Sequence, residues 1–148
     1  MLYHGDNPAI TIEAVEHMLW QGGTFRVAPR NYCALAFRIR GTARIEVGGV
    51  TYTLGTNDIL YVPQDLGYTA TYSDTEMIVF HFVTRRSDKR IEVYSMEDSG
   101  RIYKLFLRAR ALWQNKEPGY TVYAMSQLYA VLGTILETQT KTKLPPRT

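Results

Sequence analysis

The stretch YCALAFRIRG, residues 32–41, alternates between two series of side chains. One series is apolar throughout and consists of Cys33, Leu35, Phe37 and Ile39. The other consists of Ala34, Ala36, Arg38 and Arg40. A period of two predicts a β-strand, because successive side chains of a strand point to opposite faces. If the two alanines face inward they leave space beside the strand, but alternation alone does not settle which series faces inward.

Patterns typical of short strands also occur on both sides of this stretch. Strands are predicted at residues 43–47 and 50–54, with a Gly-Gly pair between them that is typical of a tight hairpin. Further strands are predicted at residues 59–62 and 76–84, and residues 11–20, which also contain good helix formers, are interpreted as a strand. Short strands at this spacing favour a sandwich or a small barrel.

After residue 98 the apolar spacing becomes helical. Asp98 or Ser99 can cap a first helix, which Pro118 ends, and a second helix is predicted at about residues 121–139. The second helix is apolar on more than one face, which is typical of a helix that packs on two surfaces. One surface is expected to be the β body, and the other is either a partner chain or the rest of this chain.

Composition narrows the classes of protein to consider. The chain has 148 residues, 45% hydrophobic and 21% charged, which suits one folded globular domain. It lacks the ~20 consecutive apolar residues of a membrane span and any pattern of a secretory signal, so a cytoplasmic location is predicted. The single cysteine, Cys33, excludes an internal disulfide. The net charge of +3 is scattered, and the basic run at residues 85–90 is interpreted as a solvated turn.

The sequence contains none of the common catalytic motifs. There is no Gly-x-Ser-x-Gly elbow, phosphate loop, dinucleotide fingerprint or His-Glu-x-x-His helix. The three histidines, His4, His17 and His81, are far apart in the chain. A lone histidine in a strand, such as His81, is more often a satisfied wall residue than a ligand. The chain is therefore predicted not to be an enzyme.

Residues 26–83 resemble the N-terminal sensing domain of AraC-type transcription regulators. The matching features are YCALAFRIRG at residues 32–41, the glycine pair with Tyr52 and Leu54, and NDILYVP at residues 57–63, close to the family's G-D-I-x-x-x-P box. The resemblance implies a mainly β, cupin-like double-stranded β-helix (a jelly-roll barrel) followed by a C-terminal antiparallel α-helical pair. It implies a barrel over residues 1–98, a dimerising helical pair over 99–140, and at 141–148 a linker toward an absent DNA-binding domain.

The chain departs from metal-binding cupins at every candidate ligand position. Where such cupins carry His-x-His, Glu and a later His, the corresponding positions are Ala28, Arg30, Ala34 and Tyr68. Alanine and arginine cannot replace imidazole and carboxylate ligands. No metal and no other cofactor is therefore expected.

The function implied by the resemblance is that of an effector-sensing and dimerisation domain. A small molecule, for which a sugar or a small organic acid are candidates, would bind in the barrel, and the N-terminal arm at residues 1–8 or the helical pair would respond. DNA would be contacted only through a C-terminal helix-turn-helix domain absent from this chain. Candidate ligand-binding residues are Trp20, Arg26, Phe37, Tyr68 and His81. Candidate residues of a homodimer interface are Tyr129, Leu132 and Leu136. The alternatives are a stand-alone cupin enzyme, which would hold a metal, and an interaction module with a filled barrel.

Overall fold

The β half of the chain forms two antiparallel sheets. The structure, a computed structural model, describes residues 9–85 and 89–143, with side chains described as far as residue 138. The strands in these ranges are β1 (Ile10–Trp20), β2 (Gly23–Val27), β3 (Cys33–Arg40), β4 (Ala43–Val47), β5 (Val50–Leu54), β6 (Asp58–Val62), β7 (Tyr68–Tyr72), β8 (Thr75–Thr84) and β9 (Glu92–Ser95). All the strands predicted from the sequence are present, whereas β2, β7 and β9 were not predicted.

The two sheets face each other and enclose the interior of a barrel. Sheet A has the strand order β1-β8-β3-β6-β9, and sheet B has the order β2-β7-β4-β5. The chain passes repeatedly between the sheets, so that most neighbours within a sheet are distant in sequence. This arrangement confirms the predicted mainly β, cupin-like jelly-roll barrel.

The strand β3 lies at the centre of sheet A and contributes to two separate cores. Its strongly apolar series, including Leu35 and Phe37, belongs to a core on the outer face of sheet A, whereas Ala34 and Ala36 belong to a core between the two sheets. The more apolar series therefore faces outward, because that face of the sheet is covered as completely as the inner one.

Two helices cover the outer face of sheet A. The first is α1 (Ser99–Asn115), and the carboxylate of its N-cap, Asp98, accepts a hydrogen bond from the backbone N–H of Arg101 at 3.2 Å. The second is α2 (Tyr120–Lys143), which continues past the predicted end of the helical region at residue 140 into the predicted linker. The buried residues that the helices add to the outer core are Ile102, Phe106, Ala109, Ala124, Leu128, Val131, Leu132 and Ile135.

Several sequence-based expectations concern the ends and loops of the chain. Arg85, Lys89 and Arg90 are exposed, as expected of a solvated turn, and residues 86–88 lie outside the described residues. The N-terminal arm at residues 1–8 and the linker residues 144–148 also lie outside them. Neither described helix has the length and apolarity required to cross a membrane.

Candidate ligand-binding site

Many side chains that face each other between the two sheets retain a small exposure, and we call this interior the hollow. On β3, Ala34 and Ala36 face the interior and remain 7% and 8% exposed, although they lie on the central strand. Their neighbours Leu35 and Phe37, on the outer face of the same strand, are fully buried. The outer core is thus closed by side chains, whereas the small inward residues between the sheets keep a small exposure.

Arg38 is the most deeply buried charged side chain of this hollow. It follows Ala34 and Ala36 on the inner face of β3 and is 2% exposed. Its Nη1 donates a hydrogen bond to the hydroxyl of Thr75 at 2.9 Å, and its guanidinium carbon lies 5.3 Å from the ring centroid of Tyr72. Its Nε is buried and has no hydrogen-bond partner. Burial lowers the pKa of Arg38, because the charged form is separated from water.

A second arginine enters the interior from the loop before β3. Arg30 donates from Nη2 to the hydroxyl of Tyr68 at 2.9 Å and from Nη1 to the hydroxyl of Tyr32 at 3.3 Å. Burial raises the pKa of Tyr68, and it raises the pKa of Tyr72 to about 12. Both phenols are therefore neutral at neutral pH. We call Arg30, Tyr68, Tyr72 and Arg38 the arginine–tyrosine row.

His81 faces the interior from β8, directly opposite Ala34 on β3. Its ring centroid lies 4.5 Å from that of Tyr32, and its Nε2 is buried with no hydrogen-bond partner. Burial lowers the pKa of His81, against the opposing effect of the Glu16 carboxylate. The imidazole is therefore neutral at neutral pH and can offer one donor or one acceptor to a molecule in the hollow.

Three of the five predicted ligand-binding residues lie at the hollow. Tyr68 and His81 are in its wall, and Trp20 lies at its rim, where its ring packs 5.4 Å from that of Tyr72 and 5.8 Å from that of Phe25. The assignment of a binding role to these three residues remains a prediction.

The structure corrects the predicted placement of the other two residues. Arg26 is exposed and pairs with Thr69 on the outer face of sheet B, because Phe25 and Val27 take the inward positions of β2. Phe37 is fully buried on the outer face of sheet A, where it stacks on Tyr103 of α1 at 5.3 Å. Neither side chain lines the interior.

The structure also corrects one predicted residue of the dimer interface. Leu132 is 3% exposed and belongs to the outer core of this chain, so it is not on a free surface. Leu136 is half-buried, whereas Tyr129 is exposed. Val122 and Tyr123, which were not predicted, are the most exposed large apolar residues of α2 in the described part of the chain.

Three of the four positions that the resemblance relates to metal ligands, Arg30, Ala34 and Tyr68, form part of the same interior, whereas Ala28 is exposed. Arg30 donates to Tyr68 there, and Ala34 faces them from β3. In the described parts of the chain, no three His, Cys, Asp or Glu side chains are grouped so that they could hold a metal ion. His17 instead pairs with Glu76, with 2.7 Å between Nε2 and the carboxylate.

Sequence reasoning missed the two arginines of the row as candidate ligand-binding residues. Arg38 belongs to the series of residues 32–40 that proved to face inward, and Arg30 was considered only as a position without a metal ligand. The signal for Arg38 was its parity with the two alanines. Two small residues followed by a cation on one face of a strand, as in Ala34, Ala36 and Arg38, indicate an interior with space and a charged end.

Comparisons with known proteins identify the fold. No protein-family model matches the sequence, and no curated protein is similar to it. Among solved structures, it is similar to the AraC-like transcriptional activator CuxR, with a TM-score of 0.61 and 8% identity over 90% of this chain and 53% of that one. It is also similar to ToxT K231A from Vibrio cholerae, with a TM-score of 0.60 and 10% identity over 93% of this chain and 58% of that one.

The chain therefore has the cupin-like fold with a helical pair that occurs in AraC-like transcription regulators. At this level of identity the likeness concerns the fold. It confirms the family resemblance noted in the sequence as far as architecture is concerned. The chain spans little more than half the length of these two proteins.

Proposed function

We propose that this chain is the effector-sensing and dimerisation domain of an AraC-type transcription regulator. The observation that carries the proposal is the hollow with unpartnered polar atoms, Nε of Arg38 and Nε2 of His81, inside this fold. Buried polar atoms are normally hydrogen-bonded, so atoms without a partner at the wall of a hollow favour a site that a ligand completes.

The proposed mechanism is a shift between two placements of the helical pair. A ligand between the sheets contacts the inner face of sheet A, and α1 and α2 pack on the outer face of the same sheet. A ligand changes the equilibrium only if it binds the two states unequally. DNA would be contacted by a helix-turn-helix domain outside these 148 residues, whose position the helical pair controls.

The proposed dimer interface is the exposed face of α2. Val122 is 67% exposed and lies two turns from Tyr129 on the same face of the helix. Val122→Asp places a charge on this face without entering the core, and it is expected to give a folded monomer in light scattering. Val50→Asp is the matched control, because Val50 is 51% exposed on β5, in the other sheet. A dimer mass retained by Val122→Asp would place the interface elsewhere.

Thermal unfolding in the presence of small molecules tests the sensing role. The chain is titrated with neutral sugars and with small carboxylic acids, and its melting temperature is followed. A ligand that binds only the folded state raises the melting temperature with concentration. Sensing predicts such a rise for at least one of the two classes. No response to either class, together with a crystal structure in which the hollow is filled by side chains, would contradict the proposal.

A further inference from the structure

We propose that the effector is an organic carboxylate whose anionic group pairs with Arg38 inside the barrel. This inference rests on the proposed sensing function and names the chemical class of the ligand. It follows from the charge of the described interior, from the unpartnered atoms there, and from the character of the walls.

Arg38 forms no salt bridge within the described part of the chain, although the Asp58 carboxylate is near enough to favour its charged form. The guanidinium contacts two neutral groups, the hydroxyl of Thr75 and the ring of Tyr72. The two oxygens of the Asp58 carboxylate accept hydrogen bonds from the Gly55 N–H and from the Ser95 hydroxyl. Buried polar atoms normally have a hydrogen-bond partner, so the unpartnered Nε of Arg38 favours a further acceptor that a ligand supplies.

The surrounding groups add positive charge and hydrogen-bond donors. Arg30 brings a second guanidinium to the row, and the phenols of Tyr68 and Tyr72 are neutral at neutral pH. Glu16, on the same sheet face as His81, is exposed and forms no salt bridge with either arginine in the described structure. Beside the Asp58 carboxylate, the row thus presents two cations and two neutral hydroxyl groups, a set that can hold one further anionic group.

The groups that line the interior of the barrel favour a carboxylate ligand over a phosphate or a sugar. Apart from its two tyrosines, the core between the sheets consists of small and apolar side chains, among them Ala34, Ala36, Leu60, Val62, Ala70 and Val79. The backbone N–H groups of these strands are committed to the sheets, so they do not form the amide nest that typically holds a phosphate. A polyol would leave several hydroxyl groups against apolar walls. A planar carboxylate on an apolar body satisfies both the guanidinium fork and the walls.

Matched pairs of compounds test this inference by calorimetric titration of the folded chain. Benzoate and hexanoate are the carboxylates, benzamide and hexanamide are their neutral counterparts, and phenyl phosphate and arabinose represent the other two classes. Each compound is titrated into the unmodified chain and into Arg38→Met. Arg26→Met is the matched control, because Arg26 is exposed on the outer face of sheet B. Circular dichroism melts show that each variant is folded.

The expected result is binding of at least one carboxylate and at least about tenfold weaker binding of its amide. Arg38→Met is expected to weaken carboxylate binding by a similar factor, whereas Arg26→Met leaves it unchanged. Equal binding of the amide, stronger binding of arabinose or phenyl phosphate, or undiminished binding by folded Arg38→Met overturns the carboxylate inference and leaves the sensing proposal standing. Binding of none of the six compounds overturns the carboxylate inference and also counts against a sensing role.

Discussion

Replacing Arg38 by methionine is expected to make the unliganded protein more stable. The substitution keeps a long flexible side chain in the same space but removes the charge from a site that is 2% exposed. It also removes the buried Nε that has no hydrogen-bond partner. Most substitutions of buried residues destabilise a protein, so a gain in stability would show that burial of this charge costs more free energy than its interactions with Thr75, Tyr72 and Asp58 contribute.

The change in unfolding free energy on Arg38→Met is the difference between the unfavourable terms that the substitution removes and the favourable contacts that it loses. Removing the unsatisfied Nε relieves about 1–3 kcal/mol, and removing the buried charge relieves about several kcal/mol more. The losses are the hydrogen bond to Thr75, about 1.5–3 kcal/mol, the contact with the Tyr72 ring, about 0.5–2 kcal/mol, and the attraction of the Asp58 carboxylate. Thr75 keeps its own hydrogen bond to the carbonyl of Ser73 at 2.9 Å, so it is not left unpartnered. The net expectation is a gain of about 1–2 kcal/mol.

Thermal unfolding of ligand-free protein measures this gain. A gain of about 1–2 kcal/mol corresponds to a rise in melting temperature of about 3–6 °C for a domain of this size. Bound small molecules are first removed by unfolding and dialysis, because a retained anion would stabilise only the unmodified chain. Arg26→Met is the control and is expected to change stability by less than about 0.5 kcal/mol. A loss of more than about 1 kcal/mol for Arg38→Met would refute the reasoning, since the charge would then be compensated within the chain.

Three other substitutions give independent checks. Burial lowers the pKa of His81, so the unfolded chain binds a proton at this imidazole more readily than the folded chain does. The free energy of unfolding should therefore fall as the pH drops below about 6.5. In urea melts, His81→Gln should show a shallower fall. Gly41→Ala should lower stability clearly more than Gly48→Ala in the same melts, because Gly41 has a φ of +99° and an added Cβ would lie 2.4 Å from a backbone carbonyl, whereas Gly48 has open space. Leu132→Asp should abolish cooperative unfolding, unlike Val122→Asp, because it places a charge in the outer core; a folded Leu132→Asp monomer would support the original interface prediction.

Much of the fold could be read from local patterns in the sequence. The alternation at residues 32–40 and the Gly-Gly hairpin gave strands in the places where the structure has them. The strands that were missed carry weaker signals. β2 begins at the second residue of a glycine pair and β9 has only four residues, although the YTATY of β7 alternates and could have been recognised.

The site was less accessible to sequence reasoning because both faces of sheet A are covered. When one face of a sheet meets water, the apolar series identifies the inward face. Here helices cover the outer face, so Phe37 went to the helices and Arg38 to the interior. Leu132 was misplaced for a related reason, since an apolar helix face that meets a sheet and one that meets a partner chain contain the same residue types.

The central strand of sheet A separates the hollow from the helices by only one layer of backbone. Ala36 and Phe37 are consecutive, yet the first borders the hollow and the second stacks on Tyr103 of α1. If the proposed ligand displaces the β3 backbone, the displacement reaches α1 without passing through any loop. Under the proposed function, ligand binding and the response of the helices would be joined across the thickness of a single strand, and swapping loops around the barrel should leave that connection intact.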